Sequence, residues 1–586
     1  MNAALVLLAS LAFLGLGYRF YGRRIARLAG VDPSRKTPAH AQRDGVDFVP
    51  ARRPVLFGHH FASIAAAGPI VGPTLALLYG AGPAWLWIVL GVVFIGAVHD
   101  FSSLFVSVRE GGRSLAEVTR RLLGPTGFLL FLGFAFLLCV LVSAAFLHLT
   151  AIALTSEFPA ADLGLAAEGG LVRTVVREGV PHAILGGIAS TSVIGITAAA
   201  PLIGWLLYRR RARVLPTSLL ALGICAASVA IGFEWPLRLD PTAWMGIILA
   251  YVVVAAWVPV WIVLQPRDFV NVHFLYLGLL AMIGGILAVG FQGATIDAPA
   301  TNVAEAAARP SLGLVWPFLF VTIACGAVSG AHGLVCGGTT CKQVDSERDL
   351  LPVGYGGMLL EAVLGICVLL VIGAGLGFAD YRRIVWPDPG GTSNPALAFA
   401  LGVGKTLEKG FTLPAVYGTV FGILLLEGFL LTTIDTVLRL SRYLLEELRS
   451  TVWSKAPAWT ANRLLLTAIP VALTAGLAYS EGYRRIWPIF GSANQLLAAL
   501  TLVAVTAWML RAGRPIGFAA IPAAFMVVTT LGALVTLAFR DASAGNWALL
   551  ATDVVLLALA SGVVLLALVS LPRLRAARTA ESGLKS

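Results

Sequence analysis

The chain has 586 residues, of which 58% are hydrophobic and 12% are Asp, Glu, Lys or Arg; a soluble domain carries about twice that charge. So apolar a composition excludes a soluble globular protein and a disordered one, and the 63 glycines and 30 prolines follow no collagen period. The net charge of +12 reads as basic loops on the cytoplasmic side of a membrane protein, not as a nucleic-acid surface.

In chain order, apolar runs of about twenty residues predict helices at 2–18, 57–79, 83–107, 125–154, 183–207, 215–233, 242–264, 271–291, 312–340, 353–378, 414–437, 464–480, 487–510, 516–538 and 546–571. Arg19, Arg23, Arg24 and Arg27 follow the first run instead of preceding it, the reverse of a secretory signal. If the first helix runs inward, the cytoplasmic loops hold 31 of the 42 Lys and Arg. That split places the N-terminus outside and the C-terminus in the cytoplasm. The six cysteines (139, 225, 325, 336, 341 and 367) fall in apolar segments with no two-pair metal spacing, and read as small core residues.

Glycine and proline inside a membrane helix mark places where backbone unwinds to meet a solute. The densest such signal is Gly68-Pro69-Ile70-Val71-Gly72-Pro73 in the second helix; two Gly-Pro pairs there predict an unwound stretch over 68–73. Five helices later, Ala255-Ala256-Trp257-Val258-Pro259-Val260-Trp261 interrupts an oppositely directed helix. The expected fold class is therefore an all-α polytopic membrane protein of about 15 transmembrane helices, with a LeuT-like 5+5 inverted-repeat core and discontinuous helices 2 and 7. The expected domains are residues 1–56 (a peripheral helix and basic loop), a core over 57–437 with repeats at about 57–233 and 242–437, and peripheral C-terminal helices over 438–586. The ninth helix, with five glycines beside Ser329, His332, Thr339 and Thr340, is expected to face the second.

Ionisable residues inside spans are costly and usually functional. His59 and His60 open helix 2, His99 and Asp100 lie in helix 3, His332 in helix 9 with Lys342 at its inner end, Glu361 in helix 10, and Glu427 and Asp435 in helix 11. Asp435 has Arg439 one turn on as a potential partner. Glu361 and Glu427 have no basic residue within a turn, so each is suited to carrying a proton. A metal site at His59, His60, His99 and Asp100 is the competing pattern, but HExxH is absent and no metal is expected. Gly404-Lys405-Thr406 resembles the end of a phosphate loop, yet Phe399 stands where the first glycine is required.

Six long stretches resemble the carbon starvation protein A family: GHHFASIAAAGPIVGPTLA (58–76), GAVHDFSSLFVSVREGGRSLAEV (96–118), WIVLQPRDF (261–269), SGAHGLVCGGTTCKQV (329–344), TTIDTVLRLSRYLLEEL (432–448) and IWPIFGSANQLLAAL (486–500). The resemblance implies a multi-pass transporter of the bacterial inner membrane that takes up peptides or small carboxylates such as pyruvate during carbon starvation, coupled to protons. It also implies a place among transporters of the amino acid–polyamine–organocation type, which are built on a 5+5 inverted repeat.

The expected mechanism seats the substrate between helices 2, 4, 7 and 9. With no arginine read mid-span, backbone N–H groups of Gly68, Pro69, Gly72 and Pro73 and their neighbours meet its carboxylate. Ser63, Ser329 and His332 are side-chain donors, and Trp257 and Trp261 close over an apolar group. Asp100, Glu361, Glu427 and Asp435 are candidates for ion coupling, with Thr339 and Thr340 serving a sodium-coupled alternative. A metal-dependent membrane enzyme or sensor is the remaining class. The implied partners are a small solute, a proton or sodium ion and membrane lipid, with no nucleic acid and no cofactor.

Overall fold

The computed structural model describes the chain except for residues 45–47, 166–171, 211, 259–261, 310, 389–390, 454–456, 458–459, 461, 481–482 and 584–586. It is almost wholly helical. Among the described residues, twelve helices are long and apolar enough to cross a membrane; a bent pair, Arg53–Ile64 and Gly68–Tyr79, makes up to thirteen. Two of the fifteen predicted spans differ. Pro241–Ala256 is short, and the segment around 315–342 is divided into short pieces.

The chain forms two compact units. One comprises Met1–Leu8, Cys139–Ala300 and Cys367–Arg484, the other Ala9–Leu138, Thr301–Ile366 and Arg485–Ser586.

The first unit is built around the helix Ala415–Val452. The helix Pro395–Phe411 packs along it through small residues: a Cβ on Gly404 would lie 2.4 Å from the Ala415 carbonyl oxygen, and one on Gly422 2.8 Å from the Ala400 Cα. Where water supplies no hydrophobic drive, such close backbone approach holds helices together by dispersion. A small antiparallel sheet, in the order β1 (Phe158–Pro159), β3 (Val180–Ala183), β2 (Thr174–Arg177), occupies the loop after Leu154. Of the predicted interruption at 257–261, residues 259–261 lie outside the described residues; one helix, Pro241–Trp257, ends before them and the next, Leu264–Phe291, begins after them. Arg439 donates to the Ala255 carbonyl and, at 2.9 Å, to that of Val258. Arg442 donates to Ala256 at 3.3 Å. Two cations thus satisfy the open carbonyls of a helix C-terminus.

The second unit contains two broken helices that meet each other. Arg53–Ile64 ends at Ala65 and helix resumes at Gly68, bent by 49°. The break occupies Ala65–Ala67, not 68–73 as expected, and Gly68–Ala76 is helical. Pro69 falls in the first turn, where the missing N–H would have had no intrahelical partner, so it starts a helix instead of interrupting one. Pro73 removes only the bond to the Pro69 carbonyl. The other break runs from Ile323 to Gly330, between Phe320–Thr322 and Ala331–Gly338. Ala65 (φ −72°, ψ 66°) and Ile323 (φ −88°, ψ 67°) share one backbone conformation. It is that of an inverse γ-turn, closed at Ala65 by Ala66 N–H donating to the Ile64 carbonyl at 2.7 Å.

Candidate functional site

The two breaks meet through glycine. A Cβ on Gly68 would stand 2.4 Å from the Cys325 Cβ, and one on Gly72 3.0 Å from the Thr322 carbonyl oxygen. The Gly-Pro signal therefore marks a contact between broken segments that no larger residue permits, and not an unwound stretch. A broken helix in lipid must find partners for its freed backbone groups. Here the helix Tyr483–Arg511 supplies them. Gln495 donates to the Phe320 and Ile323 carbonyls, Trp487 Nε1 to Thr322 at 3.1 Å, and Asn494 Nδ2 to Ala324. Asn494 Oδ1 accepts from Ala331 N–H at 3.0 Å. Positions 487, 494 and 495 recur at helical spacing and share one face.

A buried chain of ionisable groups runs beside this break. His99 Nδ1 lies 2.7 Å from Asp100 Oδ1, and Asp100 Oδ2 lies 2.8 Å from His332 Nδ1. His332 Nε2 is 3.3 Å from Glu361 Oε2 and 3.4 Å from Cys325 Sγ. The Glu361 contact is an ion-pair distance off the line of a good hydrogen bond, since Oε2 has no hydrogen-bond partner among the described residues. Glu361 Oε1 accepts the N–H of Gly326 at 3.0 Å. Gly326 has φ +86°, a left-handed conformation that favours glycine. All five side chains are buried.

Counting protons defines what this chain can do. Both histidines direct Nδ1 at Asp100, so each donates to its carboxylate. With Nε2 of His332 bare, the Cys325 thiol is placed to donate to it; with Nε2 protonated, an imidazolium stands beside the Glu361 carboxyl. Protonation of His332 and of Glu361 is therefore coupled. Cys325, His332 and Glu361 also place ligand atoms within 4.8 Å of one another, a spacing that a metal ion can bridge. Here the imidazole nitrogens already face Asp100 and the Cys325–Glu361 side.

The other sequence-derived residues are placed differently. Ser63 is exposed and donates to the His59 carbonyl at 2.8 Å. Ser329 pairs with Asn494 at 3.1 Å. Thr339 is exposed, whereas Thr340 is buried with its hydroxyl 3.0 Å from His60 Nδ1. The four-residue metal pattern is not assembled as proposed: His99 and Asp100 pair with each other, while His60 is directed at Thr340. Trp261 and the side chain of Trp257 lie outside the described residues.

Glu427 and Asp435 belong to the first unit. Glu427 is buried, with no hydrogen-bond partner on either oxygen among the described residues. Asp435 pairs with Arg267 at 3.1 Å and accepts from Tyr251 at 2.9 Å; its partner is not Arg439, which is occupied by helix carbonyls. Arg267 is 2% exposed, so a residue counted as a loop cation is in fact interior.

Cys325, Asn494, Gln495 and Arg267 were not singled out by sequence reasoning. Asn494-Gln495 in the middle of an apolar helix was the available signal, since adjacent amides in a span need partners. Nothing in its spacing marked Cys325.

A family model described as "Carbon starvation protein CstA" matches residues 2–387 and 388–533. "Peptide transporter CstA" of Bacillus subtilis is 33% identical over 571 residues, covering 90% of this chain and 89% of that one. The protein of the same name from Escherichia coli is 33% identical, covering 91% and 81%. "Pyruvate/proton symporter BtsT" of Escherichia coli is 30% identical, with the same coverage. Among solved structures, a manganese transporter of Eremococcus coleocola aligns over 91% of this chain and 99% of its own at 10% identity, with a TM-score of 0.45, a likeness too slight to carry over a topology.

Proposed function

This chain belongs to the carbon starvation protein CstA family, and from that premise we propose that it is a proton-coupled importer of peptides or small carboxylates of the pyruvate kind, a transporter and not an enzyme. Relatives named as a peptide transporter and as a pyruvate/proton symporter support the substrate class. The two solutes share a carboxylate, since every linear peptide ends in one. The charge asymmetry of the loops supports a bacterial inner-membrane location with the N-terminus outside and the C-terminus cytoplasmic.

The observation that carries the coupling assignment is His332 held between Asp100 and Glu361. Glu361 is the proton carrier in this reading, with Asp100 and His99 orienting the imidazole. A carboxylate at Glu361 accepts the Gly326 N–H more strongly than a neutral carboxyl does. Protonation therefore loosens the break at Ile323–Gly330 and biases its conformation. No backbone carbonyl among the described residues accepts from Ala67 or Gly68 N–H. These donors, at the positive end of a half-helix, receive the substrate carboxylate in place of the 68–73 stretch. The Cα faces of Gly68 and Gly72 seat the second half-helix against Cys325 and Thr322, while Pro69 and Pro73 lie against Gly326 and Gly365. Glu427 and Asp435 serve the packing of the first unit.

An inverted repeat is retained only in looser form: the changed partner lies seven predicted spans on and is oppositely directed, in place of the five spans that a 5+5 repeat needs. In this reading the helices broken at Ala65–Ala67 and Ile323–Gly330 correspond to each other, and the contact of Gly68 and Gly72 with Cys325 and Thr322 supports the pairing. A sodium site at Ser329, Thr339 and Thr340 is disfavoured, because Ser329 and Thr340 are engaged by Asn494 and His60 and Thr339 is exposed.

Counterflow in proteoliposomes with pyruvate, lactate, dipeptides and amino acids tests this function. The expected result is exchange of at least one carboxylate solute, driven uphill by an inward proton gradient and unchanged when choline replaces sodium. Uphill uptake that requires sodium and ignores the proton gradient would overturn the coupling.

A further inference from the structure

Away from the proton site, the helix Ala3–Ala29 passes from apolar to basic. It carries no charged residue from Ala3 to Leu16 and turns through a π-helical segment at Gly17–Gly22. Arg19, Arg23 and Arg27, spaced by four, line a pocket of about 580 Å³ with Phe20, Val31 and Leu351. No acidic residue lines it. The three arginines have no acidic partner among the described residues, whereas other arginines of the same unit are paired: Arg109 with Glu347, Arg113 with Glu117 and Arg121 with Glu110. Leu16 and Phe20 beside them are 55% and 64% exposed.

We infer that this pocket binds the headgroup phosphate of an anionic phospholipid. Three unpaired guanidinium groups in a concave site suit a phosphate, which they can meet with forked hydrogen bonds. The position favours lipid over a free anion. From Ala3 to Arg19 the helix rises about 24 Å, most of the ~30 Å hydrocarbon core, so Arg19 emerges at headgroup depth. The exposed Leu16 and Phe20 then lie where acyl chains run, and basic pockets at this depth are the usual seats of anionic lipid.

The test uses the full chain in nanodiscs of phosphatidylcholine mixed with phosphatidylglycerol, with retained lipid measured by native mass spectrometry. The wild type is expected to retain phosphatidylglycerol preferentially. Arg23→Gln should weaken retention about fivefold, and Arg19→Gln/Arg23→Gln/Arg27→Gln on the order of a hundredfold, at roughly fivefold per cation. Arg24→Gln/Lys36→Gln, outside the pocket, should leave it unchanged, and excess inorganic phosphate should not displace the lipid. Equal loss in the Arg24→Gln/Lys36→Gln control would reduce the effect to general surface charge and overturn the site. Displacement by phosphate would make it a soluble-anion site and overturn the lipid assignment. Undiminished retention in the single Arg23→Gln variant, whose fold one surface substitution leaves intact, would also refute it.

Discussion

Gly326 donates its backbone N–H to Glu361 across 3.0 Å, tying an ionisable side chain to the one residue of the second break whose φ is +86°. An ionisable side chain thus holds the backbone where the helix is discontinuous. Gly326→Ala places a Cβ in a left-handed conformation at about 1–2 kcal/mol. It should lower the rate of exchange while leaving the full-length protein in the membrane. Exchange at wild-type rate would show that this conformation is not needed.

The contact between breaks should depend on the summed size of residues 68 and 325. Gly68→Ala drives a methyl against the Cys325 Cβ, an overpacking that costs about 1–3 kcal/mol. Uptake should fall, and Cys325→Gly in the same chain should restore part of it. Without such rescue, the loss would have another cause.

Asn494→Ala should be the most damaging truncation on the helix Tyr483–Arg511. It strips a donor from the Ala324 carbonyl and an acceptor from Ala331 N–H, at about 1–3 kcal/mol for each buried group left bare. A lowered melting temperature in detergent is expected, together with loss of uptake, whereas Thr339→Ala at an exposed position should change neither. Equal melting temperatures for Asn494→Ala and wild type would contradict the bracing role.

Arg267 and Asp435 should behave as a pair. Removing either leaves the other charge buried, at about 3–5 kcal/mol. Arg267→Met combined with Asp435→Leu should melt closer to wild type than Arg267→Met alone. Strict additivity of the two losses would argue against their pairing.

The helical membrane class, most segments and the main ionisable groups could be read from hydropathy and charge, because a lipid solvent leaves few ways to place an Asp or Glu. The location of the breaks could not. Gly-Pro at 68–69 looks like a helix breaker from its chemistry alone, yet a proline in the first turn is tolerated, and the true break consists of three alanines with no local signal. The pairing of broken segments also escaped sequence reading. Val258-Pro259 and Gly326-to-Gly330 carry similar breaker content, and only tertiary contact shows that the residues leading into the second, Thr322 to Cys325, face Gly72 and Gly68. His332, Asp100 and Glu361 were each visible as costly residues. Their convergence was not, since 232 and 29 positions separate them along the chain.

Proton-coupled accumulation by Glu361→Gln in proteoliposomes tests the central claim most directly. The amide retains an oxygen for the Gly326 N–H but cannot carry the proton. Counterflow should persist, while uphill uptake under an imposed pH gradient should fall by at least the 5–150-fold that a coupling of about 1–3 kcal/mol represents; Glu427→Gln should retain it. Uphill, pH-driven accumulation by Glu361→Gln at the wild-type level would contradict the assignment of the proton to this residue.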